Sequence, residues 1–510
     1  MSEYVQNAAG APGATDDAGA FAALRHAAAV AALIVASFLS FQYNFFGAAD
    51  ERFFDRWDLG SEQLVLDGIL AADQPYSRGL LGLYRRNVDD SDEAHKFFER
   101  ADRSGPFYHY ESQFGLALHL FAPMHALGAH PTTMQAFNSA MMSLVVAGFF
   151  IVLRREFGSM PAAAAALAIV LSPWTLSAAR NLFWMEWTWF LPVLVTAAFA
   201  PQLAGPLRAA LPAAGLFAVA LLVKLLCGYD YATTVCFAAA VPVVYWAVRE
   251  RRAPAQVAAS LTLLVAAAFA AAVVSFALFA TKLGSADLSA SQQIAVVAKK
   301  RLSSQNPDEL AAAACKDFLP RDRAACESDF RASLAASHLK VAAMYFSFSD
   351  LVPWLSSLRT PQTPQAQAAL HAAAAERSPA AVWRWLREHT WAEQSYYVLK
   401  LVNTLVFVAL LALLVRKLHR IGRRAPEFVF ASAVAFVAPL TWILVFKGHS
   451  YAHPHLNFVL WYLPFIPWLV LVLAVDPQRP RPGMDFARRA GSAAIEPKGP
   501  AVAAGSRGRP

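Results

Sequence analysis

At 510 residues, 57% hydrophobic and 16% charged, with a mean hydropathy of +0.38, the chain is not a string of ordinary soluble domains. The net charge of +8 comes largely from Arg and Lys in short links and in the C-terminal tail, with no aromatic-interleaved basic patch of the kind that holds nucleic acid. Four cysteines are too few for a disulfide framework.

Residues 1–25 have no basic start and no cleavage signature, so they read as a disordered cytoplasmic tail and not as a signal peptide. Apolar runs of about 20 residues then recur, the length that crosses a hydrocarbon core. Ten are expected, at 26–47, 132–153, 160–178, 183–200, 207–227, 231–248, 256–281, 396–416, 427–446 and 456–475. The fold class is therefore an all-α polytopic membrane protein, with a transmembrane domain over 26–475 and a disordered basic cytoplasmic tail over 476–510. Arg154 and Arg155, the run 249–252, the run 416–424 and the tail arginines all fall on one side, which the positive-inside tendency makes cytoplasmic. An even number of spans puts both termini there.

Two large loops, 48–131 and 282–395, then face the outer side. The first carries 14 acidic and 8 basic residues, a balance that suits translocation. Its segment 61–73 is expected to form a short interfacial helix, and 107–128 a re-entrant or interfacial one. The second loop holds Cys315 and Cys326, for which a short-loop disulfide is expected in an oxidising compartment. It ends in a stretch with Trp383, Trp385 and Trp391 that fits an interfacial helix. No internal repeat of the transporter kind is evident.

The candidate chemistry gathers at the outer ends. The stretch ADERFFDRWDLGSEQ follows the first span and supplies Asp50, Glu51, Asp58 and Glu62 as candidate carboxylates. Arg180, Lys224, Lys447, His449, His453 and His455 are candidate phosphate-binding groups, and Glu186, Asp230, Tyr229 and Tyr451 candidate acceptor or sugar contacts. Ionisable groups near the membrane plane are costly unless paired or hydrated, which makes them functional candidates by default. Cations can hold a lipid-linked phosphate and stabilise the charge it gains on leaving, while a carboxylate can take the proton of an acceptor hydroxyl. Duller readings stand beside these: Lys224 and Arg180 snorkel, Glu186 pairs with Arg180, Asp50 and Glu51 form a solvated helix terminus, and the histidines are polar turn residues. No metal is assigned. A divalent cation, magnesium or manganese, held by the first-loop acids fits oxygen ligands better than zinc at the His turn, where Pro454 breaks the spacing.

The opening ADERFF, the pieces YESQFGLALHLF, KLLCGYDYATT and KGHSYAHPHLN, and the two large outer loops together resemble the GT-C superfamily of membrane glycosyltransferases over roughly 26–475. That resemblance implies a bacterial inner-membrane enzyme, with its site on the periplasmic face. It would move a sugar from a polyprenyl-phosphate carrier to an envelope glycan, a lipid-linked glycan or a protein. It assigns the base role to Asp50 or Glu51, with Asp58 or Glu62 as alternatives, and phosphate binding to Arg180, Lys224 and Lys447. Two other readings remain open, an O-antigen ligase or polymerase and a transporter or flippase for a lipid-linked sugar.

Overall fold

A computed structural model gives a mostly helical chain, with residues 14–49, 51–84, 94–283, 320–347, 391–447 and 454–476 described, together with Ser450 and single positions between 289 and 315. Helix α1 (Ala14–Tyr43) leads into the first loop, which holds α2 (Glu51–Arg56), α3 (Leu59–Ala71), β1 (Gly82–Tyr84), α4 (Ala94–Glu99), β2 (Phe107–His109) and α5 (Leu116–Ala126). The bundle continues through α6 (Pro131–Phe157), α7 (Ser159–Val170), α8 (Pro173–Arg180), α9 (Trp187–Ala198), α10 (Ala200–Leu203), α11 (Leu207–Cys227), α12 (Ala232–Arg249) and α13 (Pro254–Ala280). Beyond it come α14 (Pro320–Ala335), α15 (His338–Ser347), α16 (Trp391–Ile421), α17 (Pro426–Val445), α18 (Pro454–Asn457), α19 (Val459–Tyr462) and α20 (Phe465–Ala474).

Among the described residues, six helices are long and apolar enough to cross a membrane: α1 over Phe21–Tyr43, α6, α11, α12, α13 and α17. A seventh span results if α7 and α8, bent by 65° at their junction, cross as one. The bend has a local cause. Pro173, at the first position of α8, has no N–H to extend α7, and Ser172 caps the new helix by accepting from Thr175 N at 3.2 Å. The carbonyl of Val170 left at the end of α7 accepts from Ser40 Oγ of α1 at 2.9 Å. The fourth and last of the expected runs appear as shorter apolar helices, α9 and the broken stretch Val459–Ala474.

In a bilayer, helices associate through close packing and polar contacts, because lipid tails are as apolar as leucine. The α12–α17 contact has that character: Ala238 and Ala239 on one helix and Ala431, Ala435 and Ala438 on the other are fully buried. By contrast α13 turns Val265, Phe269 and Val273 outward, as a lipid-facing surface requires. An apolar cavity of about 80 Å³ lies between α6, α7, α9, α12 and α20, lined by residues such as Phe149, Ala166, Phe190, Ala238 and Trp468. Walls of this kind leave a cavity dry and give a polar ligand nothing to hold.

The described part of the first loop forms a cap, and it contains a small antiparallel sheet that the helical reading omits. Gly82 pairs with His109, and Tyr84 with Phe107. Gly82 is needed there, since a side chain would stand 2.2 Å from the Phe107 ring. Asp67, buried on α3, accepts from the Tyr84 backbone N at 3.0 Å and so fixes the sheet to the helix. Lys282, just past α13, donates to Gly79 O at 2.7 Å and Phe114 O at 3.2 Å, contacts His119 and sits 3.7 Å over the Phe114 ring. Burial pushes its ammonium down to about 8. The loop is thereby fastened to the bundle at α13, and 107–128 forms a strand and the helix α5.

Asp67→Ala should lower the stability of the purified protein by about 1–3 kcal/mol, because it leaves the Tyr84 N–H buried without an acceptor. Asp67→Asn, which keeps an acceptor oxygen, should lose less; thermal unfolding in detergent compares the two.

Candidate functional site

Two helices of the first loop meet at a sharp break. Trp57 and Asp58 separate α2 from α3, and Asp58 is left-handed with φ 50°, a conformation Asp tolerates better than most residues. The break is held from the bundle. Asn181, which ends α8, reaches Trp57 O at 3.4 Å through Nδ2, while its Oδ1 accepts from Phe183 N at 2.9 Å and Trp184 N at 3.3 Å. Asn138 of α6 donates to Asn181 O at 3.0 Å and accepts from Trp187 Nε1 at 3.1 Å. The Trp184 indole, aimed by this turn, donates to the Asp58 carboxylate.

Burial pushes the Asp58 carboxyl up to about 6, partly offset by hydrogen bonds from Ser61 and Trp184. One turn along α3, Glu62 is 2% exposed. Gln135 Nε2 of α6 donates to its Oε1 at 2.9 Å, and His95 Nε2 of α4 stands 3.7 Å from Oε2, an ion-pair distance that is too long for a hydrogen bond. Burial alone would raise Glu62; His95, Gln135 and the charge of Arg180 outweigh it and hold the carboxyl below its ordinary range. His95 responds in the opposite sense: burial would lower it, and the facing Glu62 raises it. Arg180, in the last turn of α8, reaches Asp55 Oδ1 at 3.2 Å and lies 3.9 Å over the Phe54 ring. Among the described residues Asp55 is its one hydrogen-bond acceptor, so most of the guanidinium fork is available to a ligand.

The structure thus sets Glu62 between Asp58, one turn before it at the start of α3, and the charge of Arg180. Glu51 is exposed in the first turn of α2. Glu186 does not pair with Arg180: it is fully buried at the start of α9, and neither oxygen has a hydrogen-bond partner among the described residues, the Thr175 hydroxyl lying beside it outside bonding geometry. Lys224 is 2% exposed and donates to Gly228 O at 2.6 Å. Asp230 is buried, and Tyr229 turns to α13, with its hydroxyl 3.2 Å from Ser275 Oγ. Lys447 donates to Leu334 O at 2.9 Å, which ties α17 to α14 and keeps it out of the Arg180 cluster. Asp50, His449, Tyr451 and His453 lie outside the described residues, and His455 is described only as part of α18. Cys315 is disulfide-bonded while Cys227 and Cys236 are free; Cys326 lies on α14, its side chain outside the described set. Among the described residues no three His, Cys, Asp or Glu side chains are grouped to hold a metal.

Sequence reasoning missed His95, Gln135, Asn181 and Trp184. Each is an unremarkable residue in its own segment; His95, Gln135 and Trp184 acquire a role by meeting an acid of the first loop, and Asn181 by bonding its backbone. No family model, no curated protein and no solved structure matches the chain.

The Glu62–His95 pair predicts a pH optimum for stability. Glu62 is lowered on folding, so its contribution is present above its ordinary 4.5 and disappears as pH falls through the folded value. His95 is raised on folding, so its contribution is complete below 6.5 and disappears as pH rises through the folded value. Thermal unfolding should therefore show the pair's stabilisation at its fullest between 4.5 and 6.5. His95→Gln should remove the alkaline fall.

Proposed function

We propose that the chain is a membrane glycosyltransferase of GT-C type that moves a sugar from a polyprenyl-phosphate carrier to an acceptor hydroxyl at the face that carries the first loop. The observation that carries this reading is a partly buried cluster joined through Glu62, which feels the charge of Arg180 from the broken span and lies one turn from Asp58 of the cap. Asp58 has the properties of a general base: its proton affinity sits close to neutral pH, its orientation is set by Trp184, and it is half-buried. Glu62, held by Gln135 and His95, is the orienting neighbour. Arg180 suits the phosphate, since its fork fits a phosphate's oxygens and can stabilise the charge gained in the displacement.

In this reading the acceptor hydroxyl gives its proton to Asp58 as its oxygen forms a bond to the anomeric carbon. The bond from that carbon to the phosphate oxygen breaks, and the electron pair leaves on the polyprenyl phosphate, next to Arg180. A leaving group that departs as an anion needs no second carboxylic acid, unlike glycoside hydrolysis. The full arrangement of ten spans with both termini cytoplasmic, in a bacterial inner membrane with the site on the periplasmic side, belongs to this proposal. The disulfide-bonded Cys315 supports placing the second loop on an oxidising side. One observation favours a second reading: Glu186, a fully buried carboxyl within the bundle, is the kind of group that a lipid-linked-sugar transporter would use.

Purified protein given polyprenyl-phosphate sugars and envelope acceptors should form the transferred glycan, and Asp58→Asn should reduce the rate about 10²–10⁴-fold. Movement of the lipid across vesicles without any transfer would favour the transporter instead. Transfer should decline as pH falls through about 6, where Asp58 takes up its proton. Because Asp58 is raised on folding, its ionised form opposes folding above that pH, and the opposition is relieved as pH drops below its ordinary 3.8. Asp58→Asn should therefore be more stable than the parent at neutral pH, by on the order of 2–3 kcal/mol at most. Arg180→Ala should weaken binding of farnesyl phosphate, measured by titration calorimetry in detergent.

A further inference from the structure

The end of the bundle away from the cap collects three helix–helix links. Glu156 at the end of α6 pairs with Arg249 at the end of α12. Phe428, in the first turn of α17, packs on Phe157 and Tyr245, with ring centroids 6.1 and 5.5 Å apart. Lys417 of α16 donates to Val475 O just past α20, and Trp468 of α20 packs on the same Phe428 at 6.0 Å. These contacts hold the α6–α7, α12–α13 and α16–α17 links side by side. Arg155 adjoins the first link, Arg252 lies in the second, and Arg420, Arg423 and Arg424 lie in or beside the third.

These arginines are not used to fasten the helices. Arg252 is half-buried and the other four are exposed. None of the five has a hydrogen-bond or ion-pair partner among the described residues, and the Nε of Arg252 is buried without one. The carboxylates at this end do not neutralise them. Glu156 is taken by Arg249 and Glu427 is buried, which leaves Glu250 and Asp476 exposed. Each guanidinium keeps its full set of N–H donors, and like charges gathered in this way repel one another unless an anion stands among them.

The surface beside the arginines says what kind of anion fits. On α16, Val415 is 59% exposed one turn before His419 and Arg420; on α17, Phe430 is 56% exposed shortly after Arg424. Helix α13 starts just after Arg252 and turns Val265 and Phe269 outward. A soluble anion would use the arginines and leave these apolar faces bare. An amphiphile covers both, with its phosphate among the arginines and its hydrocarbon chains along the outward faces of the helices that the arginines begin or end.

We propose that Arg252, Arg420, Arg423 and Arg424, with Arg155 at the edge, form a docking surface for the phosphate headgroup of an anionic membrane phospholipid. The planar fork of arginine matches phosphate oxygens two at a time, which makes the surface more than a diffuse field. It lies at the other end of the bundle from Asp58 and Arg180, and it does not depend on the glycosyl-transfer reading.

The test is native mass spectrometry of the delipidated full chain in detergent, with thermal unfolding followed in parallel. The probes are dioleoylphosphatidylglycerol, dioleoylphosphatidylcholine, which has the same chains and no net charge, and glycerol phosphate, which has the phosphate and no chains. Phosphatidylglycerol should be retained about tenfold more tightly than phosphatidylcholine and should raise the melting temperature. Glycerol phosphate at the same concentration should do neither. The combined variant Arg420→Gln, Arg423→Gln, Arg424→Gln should weaken phosphatidylglycerol about fivefold for each arginine that meets the headgroup. Because these side chains are exposed, that variant should melt at or above the parent temperature without lipid, as repulsion among the arginines is relieved. Equal retention of the two lipids, or undiminished retention of phosphatidylglycerol in the variant, overturns the proposal. So does stabilisation by glycerol phosphate equal to that by phosphatidylglycerol, which would make this a site for a soluble anion.

Discussion

An ionised carboxylate taken out of water costs several kcal/mol unless charges and hydrogen bonds replace its hydration, and Glu62 sits at the point where the cap is sealed to the bundle under that constraint. Its partners come from three places: Gln135 from α6, His95 from α4 within the cap, and the field of Arg180 from α8. Removing any one leaves a buried charge short of compensation. The cap can therefore close in one register only, the one that brings α3 over the ends of α6 and α8. Asp58, four residues before Glu62, is carried into place by the same closure, and its left-handed backbone and its bond from Trp184 follow from it.

The opposite end of the bundle handles charge differently. Glu156 at the end of α6 is paired with Arg249 of α12 and accepts from Tyr245 Oη at 2.9 Å, while the Arg249 guanidinium covers the Trp246 ring at 4.6 Å. Arg154 meets His26 of α1, and Lys417 of α16 donates to Val475 O at 2.9 Å. These contacts tie helix ends to one another and are ordinary anchors of a helical bundle.

Much of the architecture was legible in the sequence because it depends on composition and local chemistry. Apolar runs gave helices, and Pro131, Pro254 and Pro426 began three of the long ones. What hydropathy does not register is a break within a run: Pro173 and Pro464 divide stretches that read as continuous, so two of the expected spans became a bent pair and a chain of short helices. The three-residue strands were too short for any periodicity to show, and they exist because Asp67 and the Phe107 ring fix Gly82–Tyr84 in place. At the site, charge in an apolar setting pointed to Asp58, Glu62 and Arg180. It could not point to His95 in EAHKFFER, or to Gln135 within α6, because neither residue is unusual until α3 is laid against it. The same limit explains Lys224 and Lys447, whose positions looked free for a phosphate and whose ammonium groups are taken by backbone carbonyls.

The contrast between the two ends bears on where function resides. A bundle needs its helix ends fastened, and at the Glu156 end Glu156 and Arg249 do that by pairing with each other, as does Lys417 on the Val475 carbonyl. At the cap end Arg180 keeps most of its donors, Gln113 is buried with both amide ends unsatisfied, and Glu186 is buried with no bond to either oxygen among the described residues. Gln113 and Glu186 each lower stability relative to an apolar or paired alternative and are hard to explain as packing. Polar groups held short of satisfaction in an otherwise well-packed interior are what a binding site requires before its ligand arrives, since the ligand then supplies the missing bonds. The energetic deficit of the cap end is therefore itself an argument that the ligand enters there.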